Sequence, residues 1–311
     1  MLSRRNIRIK VMQMLYGASR DSELTLEQIL NRYRTSVDQA YGLYLYGLYY
    51  LVKVSEYALK DAERRRAKHL PTEEDKAFTG KLFLHTATQS LATNEDFEKR
   101  LGQRRLLDKI DEDLVRRLYT EFAKGEVYKK YLSKTDESTE DQIDILLALF
   151  KVCTSDESFN EALEDLHATW IDDKSLVIGS IKKTLKALPV SPHFCLTYEP
   201  DDEAVVEFGE ELLRKVFQED GELLEIIEPT LKNWDADRVA TIDMILLKMA
   251  LCELMIFPTI PTKVTLNEFL EISKRYSTEK SKDFINGILD RLMKQLHKDG
   301  KIKKEGRGLV E

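Results

Sequence analysis

The chain contains 311 residues, which is enough for two domains of ordinary size, each with its own core. Apolar residues make up 42% of it and charged residues 33%, and no run approaches the roughly 18 apolar residues of a membrane helix, so we expect no membrane partner. The net charge of −7 excludes indiscriminate nucleic-acid binding but permits a local basic patch. Three scattered cysteines (Cys153, Cys195 and Cys252) predict a reducing cytoplasm rather than a disulfide framework.

Low glycine and proline counts, 13 and 7, favour an all-α fold class. The first predicted helix begins after Ser3 and ends near Arg20. Apolar residues recur along it at spacings of three and four, which predicts one face packed against a core. The residues of that face are Ile7, Val11, Met14, Leu15 and Ala18.

A second row of side chains, four residues apart, runs beside this apolar face. Its members are Arg4, Arg8, Met12 and Tyr16, with Arg5, Ile9 and Gln13 next to them. Guanidinium groups suit phosphates, and a tyrosine can stack on an unpaired base, so the row fits an RNA-binding ridge. The same periodicity fits a solvated positive face with a packed tyrosine beneath it, and the residues alone leave both interpretations open.

The pattern stays helical from about Leu24 to Lys186, which includes a tyrosine-rich helix that runs toward Arg66. Basic clusters on these helices fit either solvated helix ends or an additional RNA or polymerase surface. They are Arg64–Arg66 with Lys68, and Lys99–Arg100 with Arg104–Arg105. Three prolines between Pro189 and Glu203 predict a linker, because proline lacks a donor and restricts the residue before it.

Further helices are predicted after the linker. They cover Ala204–Phe217, Gly221–Lys232, about Asp237–Ile256, and about Ser281–Leu296. Thr265 and Glu268 predict a capping box between the last two, and we expect the basic tail after Asp299 to be frayed. Phe284 lies at the edge of the apolar face of the last helix, where its ring can be partly exposed. An edge phenylalanine fits both an ordinary core position and a binding contact.

The sequence contains no motif that indicates catalysis or metal binding. It has neither a glycine-rich phosphate loop nor the strand pattern to carry one, and its five histidines lack HExxH spacing. His193 and Cys195 are two residues apart, but two ligands do not close a zinc site. We therefore predict a protein that is not an enzyme and has no catalytic residues, metal or cofactor.

Both ends of the chain resemble the NusB family. The order and spacing of that family's motifs are found in four successive stretches of this chain. They are Asn233–Trp234 with Asp237–Arg238, IDMILLKMALCELM, PTIPTKVTLNEFLEISKRYS and KDFINGILDRL. The opening SRRNIRIKVMQMLYG resembles the family's arginine-rich first helix. The resemblance implies a NusB-like helical bundle with an extra helical expansion. The predicted organisation is an N-terminal arginine-rich helix (1–20), an expansion (21–188), a linker (189–203), a NusB-like domain (204–296) and a basic tail (297–311).

The resemblance implies a transcription antitermination factor. Such a factor binds boxA-type single-stranded RNA together with NusE, a small-subunit ribosomal protein, and acts indirectly on the RNA polymerase elongation complex in support of ribosomal RNA transcription. Carried over residue by residue, it implies RNA contacts at Arg4, Arg5, Arg8, Gln13, Tyr16, Lys263 and Phe284, and partner contacts at Asp237 and Asp243. Lys280 and Cys252 depart from the family pattern, which puts local base contacts and partner packing in doubt.

Two other interpretations remain. The chain can be a helical adaptor that has lost RNA binding, or a detached relative of the NusB-like domain that some ribosomal RNA cytosine methyltransferases carry. The latter enzymes need a doubly wound catalytic domain with a glycine-rich cofactor loop, and we expect none after Leu296.

Overall fold

The structure, a computed structural model, describes residues 2–231 and 238–309. None of the described residues forms a β-strand and the regular structure is helical, which confirms the predicted all-α class. Within these ranges no helix is both long and apolar enough to cross a membrane. The α-helices are α1 (Arg4–Arg20), α2 (Leu26–Arg66), α3 (Glu73–Ala77), α4 (Lys81–Leu84), α5 (Thr86–Ala92), α6 (Glu95–Gln103), α7 (Glu112–Lys124), α8 (Glu126–Leu132), α9 (Thr139–Ser155), α10 (Glu157–Leu166), α11 (Trp170–Lys186), α12 (Glu211–Gln218), α13 (Asp220–Ile227), α14 (Thr241–Ile256), α15 (Thr262–Tyr276) and α16 (Ser281–Lys298).

The chain forms two compact units. The inserted unit is Asp38–Glu199, and the terminal unit is Leu2–Val37 together with Pro200–Glu311. The division therefore falls within α2 and splits the predicted linker after Glu199. Residues 21–37, which the sequence prediction counted with the expansion, belong to the terminal unit.

The core of the terminal unit forms around α14, whose residues 245–254 are all buried. A helix that is apolar on nearly every side needs neighbours on every side, and α1, α12, α13, α15 and α16 supply them. The last helix contributes the predicted apolar face, since each of its members is buried: Ile285, Ile288, Leu289, Leu292 and Leu296.

The first part of α2 packs on a π-helical segment, Glu203–Glu210, that leads directly into α12. Tyr33 Oη donates to the carbonyl oxygen of Val205 over 3.1 Å, and Arg34 makes two bonds of 2.6 Å with Glu210. Gly209 permits this close approach, because a Cβ there would lie 1.9 Å from Tyr33 Oη. The same segment packs against α1, where it meets the arginines of the N-terminus.

The inserted unit has a core rich in aromatic side chains, many of them on α2. Buried tyrosines usually need a partner for the hydroxyl group, and Tyr41 and Tyr44 of α2 have one. Tyr41 Oη donates to the carbonyl oxygen of Cys195 over 3.1 Å, and Tyr44 Oη lies 2.8 Å from Thr184 Oγ1. The tyrosine-rich run therefore serves the packing of this unit.

The C-terminal tail is packed, so the prediction that it is frayed was wrong. Gly300, with a φ of 66°, turns the chain back at the end of α16. The backbone N–H of Glu305 then donates to the carbonyl oxygen of Pro258 over 3.0 Å, and Gly306–Leu309 forms a short 3₁₀ turn. The tail is thereby attached to the loop between α14 and α15.

Candidate nucleic-acid interface

The arginines of α1 differ sharply in exposure. Arg8 is only 2% exposed, whereas the side chains of Arg4 and Arg5 are 39% and 50% exposed. Met12 is also buried, so the predicted ridge of Arg4, Arg8, Met12 and Tyr16 does not form one exposed face. The helix begins one residue after Ser3, whose side chain and that of Asn6 cap each other's backbone N–H groups.

Arg8 is committed to an ion pair inside the terminal unit. Its Nε and Nη2 donate to the two carboxylate oxygens of Glu253 over 2.7 and 2.6 Å, and Glu253 is fully buried. Thr265 Oγ1 also donates to Glu253, over 2.8 Å, and the rings of Phe208 and Phe269 lie 5.0 and 5.8 Å from the Arg8 guanidinium. Bidentate geometry and the additional donor compensate the cost of burying two charges. A buried guanidinium has no surface for a phosphate, so we assign Arg8 to positioning α1.

Arg5 extends this ion pair toward the surface. Its Nε and Nη2 donate to Glu268 over 2.7 and 2.6 Å, and Glu268 also lies 3.8 Å from Arg8. The bonds with Glu268 raise the pKa of Arg5, and Arg5 in turn lowers the pKa of Glu268. Four alternating charges thus join α1 to α14 and α15. A guanidinium has five N–H donors, and the bonds to Glu268 use two of those on Arg5.

The predicted capping box at Thr265 was wrong. Helix α15 begins at Thr262 after Pro261, so Thr265 lies within its first turns. The Thr265 hydroxyl donates to Glu253, and Glu268 bonds to Arg5 instead of reaching back to a helix end. Thr265 and Glu268 therefore bond to side chains of other helices and do not cap α15.

Arg4 lies beside Arg5 in a more open environment. Its Nη2 contacts Glu203 over 2.8 Å, and that carboxylate is 71% exposed. The Arg4 guanidinium also lies 5.6 Å from the centre of the Phe208 ring. Exposed ion pairs contribute little to stability, so a phosphate can replace Glu203 at small cost.

Arg4 and Arg5 line a cavity of about 690 Å³ in the terminal unit. Its other walls come from Ser3 and Arg8 of the N-terminal segment, from the loop between α14 and α15, and from the start of α15. The remaining lining residues are Thr259, Ile260, Pro261, Val264 and Glu268. Lys263 is exposed in the first turn of α15, next to Val264. The structure therefore brings three of the predicted basic residues to one region: Arg4, Arg5 and Lys263.

Tyr16 lies at the other end of α1. Twelve residues of helix separate it from Arg4, which corresponds to about 18 Å. Its ring is 37% exposed, and the guanidinium of Arg20 lies 5.1 Å from the ring centre. Gln13, between them along the helix, is partly buried. These two residues do not line the cavity of Arg4 and Arg5, and an RNA contact at either remains a prediction.

Phe284 is partly exposed in the first turns of α16, as its edge position predicted. Lys282, two residues before it, is exposed, and so is Asp283 between them. The pKa of Glu271 on α15 is lowered, mainly because Lys274 donates a hydrogen bond to it, with smaller contributions from Arg5 and Lys282. The start of α16 and the start of α1 therefore lie within electrostatic range of one carboxylate on α15.

The two predicted partner contacts have different outcomes. Asp237 lies outside the described residues. Asp243, in the first turn of α14, is 4% exposed and accepts a hydrogen bond from Ser277 Oγ, so it is neither on a solvated face nor open to a partner. A groove of about 460 Å³ adjoins this turn, lined by Thr241 and Met244 together with residues of α1 and α12. The groove also includes Asp220, whose exposed carboxylate pairs with Lys248.

The acidic partners of the arginines were missed in the sequence. A signal was present for Glu253, because a carboxylate in a mostly apolar helix that is buried on nearly every side requires a buried cation. Nothing in the local sequence indicated Glu203 or Glu268, which meet α1 only after folding. Among the described residues no cluster of three or more histidine, cysteine, aspartate or glutamate side chains has the arrangement of a metal site.

The chain is similar to proteins of the NusB family. A sequence profile of the NusB family matches residues 176–294. The chain is 43% identical over 110 residues to the transcription antitermination protein NusB of Salinibacter ruber, which covers 35% of this chain and 69% of that protein. Proteins of the same name from Chloroherpeton thalassium and Natranaerobius thermophilus are 46% and 43% identical over 79 and 74 residues. These matches cover 25% and 24% of this chain, and 37% and 53% of the relatives. No solved structure matches the chain.

Proposed function

Because this chain belongs to the NusB family, we propose that it is a non-enzymatic transcription antitermination factor. In this proposal the terminal unit binds boxA-type single-stranded RNA together with NusE, and the complex acts on the RNA polymerase elongation complex. The family relationship supports the antitermination role, and the exposed arginines at the start of α1 support the RNA contact. The inserted unit lies mostly outside the matched residues, and we assign it no part in the proposal.

The observation that carries the proposal is the pairing of Arg4 and Arg5 at one cavity. Both guanidinium groups are partly exposed, and both are oriented by carboxylates of the same unit. Orientation by Glu268 reduces the freedom that the Arg5 side chain loses when it binds, and Arg4 can exchange its exposed partner Glu203 for a phosphate. Planar guanidinium groups then suit the paired oxygens of a phosphate. The start of α1 thus provides a preorganised site for the RNA backbone.

Bases require an apolar or aromatic face in addition to cations. Phe284 is the predicted residue with a partly exposed side chain within two residues of an exposed lysine, Lys282. We propose that a splayed base stacks on Phe284 while Arg5 and Lys263 hold neighbouring phosphates. Tyr16, at the far end of α1, is then available for a second base of a longer strand.

For NusE we propose the groove beside the first turn of α14. Asp243 supports this turn from inside through Ser277, whereas Asp220 presents an exposed carboxylate at the groove. An exposed carboxylate beside partly apolar walls suits a partner with basic and apolar residues. Replacement of Asp220 by lysine should therefore weaken NusE binding in a titration, whereas lysine at Glu207, an exposed residue outside the groove, should not.

RNA binding can be tested by fluorescence anisotropy with a labelled boxA-type RNA and a scrambled RNA of equal length, with and without NusE. The parent protein should prefer the boxA-type RNA. In Arg4→Gln/Arg5→Gln the slope of log affinity against log salt should become smaller by about 1.4, because two phosphate contacts are lost. Lys182→Gln/Lys183→Gln, on exposed positions of α11, removes the same charge and should leave the slope unchanged.

Arg8 is excluded from that variant, because its loss would damage the fold as well as any site. Equal affinity of the parent for the two RNAs, with and without NusE, would support the adaptor interpretation and reject the proposed function. An unchanged salt slope in Arg4→Gln/Arg5→Gln would reject the site at the start of α1.

A further inference from the structure

The basic C-terminal tail is attached to the loop between α14 and α15, and later residues of that loop line the cavity of Arg4 and Arg5. Helix α16 ends in a glycine turn in which the N–H of Lys301 donates to the carbonyl oxygen of Leu296 over 2.9 Å, and that of Gly300 to His297 over 3.2 Å. This is the hydrogen-bond pattern of a Schellman motif, and the positive φ of Gly300 allows it. The turn directs the following residues back along the terminal unit.

Three contacts then attach the tail to the loop between α14 and α15. Lys304 Nζ donates to the carbonyl oxygen of Phe257 over 3.0 Å, and Glu305 N donates to that of Pro258 over the same distance. Gly308 packs so tightly on this loop that a Cβ would lie 1.9 Å from the carbonyl oxygen of Pro258. Burial lowers the pKa of Lys304, and the nearby Glu253 opposes the effect.

A short series of contacts connects this attachment point to Arg4. The ring of Phe257 lies 4.9 Å from that of Phe208, and the guanidinium of Arg4 lies over Phe208. The carbonyl oxygen of Phe257 accepts from the N–H of Ile260 as well as from Lys304, and Ile260 lines the cavity. Lys301 and Lys303 are exposed. Because Lys303 is two residues from Glu305, its Cα lies within about 7 Å of the attached residue.

We propose that the attached tail is a second part of the RNA surface, in which Lys301 and Lys303 neutralise phosphates of the strand that Arg4 and Arg5 hold. This inference rests on the proposed function, since it extends the same site. Lys304 acts as the attachment, because its ammonium group is bonded to Phe257 and partly buried. In this proposal the lysines bind phosphates because the attachment fixes the position of the tail, and not only because they are positively charged.

Two variants separate charge from position, and both are compared with the parent full chain on the boxA-type RNA. Lys301→Gln/Lys303→Gln removes two charges and should reduce the salt slope by about 1.4, with affinity at 50 mM salt lower by about threefold or more. Gly308→Val keeps every lysine but places a side chain against Pro258, so the tail should detach and the slope should fall by a similar amount. Lys182→Gln/Lys183→Gln is the matched control for net charge, and melting temperatures check that each variant is folded.

Unchanged slope and affinity in Lys301→Gln/Lys303→Gln would overturn the inference while leaving RNA binding through Arg4 and Arg5 intact. An equal decrease in the control variant would also overturn it, because net charge alone would then explain the result. A normal slope in folded Gly308→Val would show that attachment is unnecessary and would reject the tail as a built surface. Failure of the parent to bind RNA at all would instead reject the proposed function.

Discussion

The two units of this protein bury charge in different ways. In the terminal unit Arg8 and Glu253 are both sealed from solvent, at 2% and 0% exposure, and bond to each other through two oxygens. In the inserted unit the buried carboxylate of Asp61 pairs with Arg64, whose side chain is 61% exposed. Water can replace an exposed partner, but it cannot reach a sealed one. The Arg8–Glu253 pair of the terminal unit therefore has no solvent to replace either partner, whereas Asp61 of the inserted unit keeps a second cation, Arg65, and an exposed one, Arg64.

The largest effect should come from breaking the sealed pair. Arg8→Ala leaves Glu253 buried without its cation, and we expect a loss of about 3–5 kcal/mol in the free energy of unfolding. Urea denaturation followed by circular dichroism measures this loss. A double variant, Arg8→Met/Glu253→Leu, should regain much of the stability because no buried charge remains. A loss below about 1 kcal/mol in Arg8→Ala would show that the pair does not hold α1.

A smaller effect should arise from acidification of the inserted unit. Burial lowers the pKa of His85 from its ordinary value of 6.5 to about 4, and its Nδ1 accepts the N–H of Thr88 at the start of α5. The unfolded chain binds this proton at higher pH than the folded one, so stability is full above pH 6.5 and falls as the pH decreases toward 4. The decrease from this group should be on the order of 2–3 kcal/mol. His85→Asn should show a weaker pH dependence of unfolding over that range, and an identical dependence would contradict the assignment.

The smallest effect should follow from removing an ion pair whose cation is exposed, Asp61–Arg64. Arg64→Ala leaves Asp61 with Arg65, which donates to it over 2.7 Å. Stability should therefore change by less than about 1 kcal/mol in the same urea measurement. A loss as large as that in Arg8→Ala would remove the distinction between sealed and open pairs.

Much of the fold could be predicted from local patterns. The apolar face of α16, the tyrosine-rich α2 and the start of α1 after Ser3 all follow from spacing and capping, which depend on neighbours in sequence. The site was less predictable, because Arg4, Arg5 and Arg8 look alike in the sequence. Periodicity placed Arg8 and Tyr16 on one ridge, but burial separates them, and the tail was expected to be frayed where it is attached.

The sequence by itself determined the helical class, the apolar faces of the helices and the family relationship, because each depends on residue order and local spacing. Only the tertiary structure decided which arginine becomes core and which remains exposed. The exposure of each arginine depends on carboxylates far away along the chain. Arg8 is buried because it pairs with the buried Glu253, whereas Arg4 and Arg5 pair with Glu203 and Glu268 nearer the surface. A charge is stable in the interior only with a partner, and partners more than 190 residues distant meet only when the chain folds.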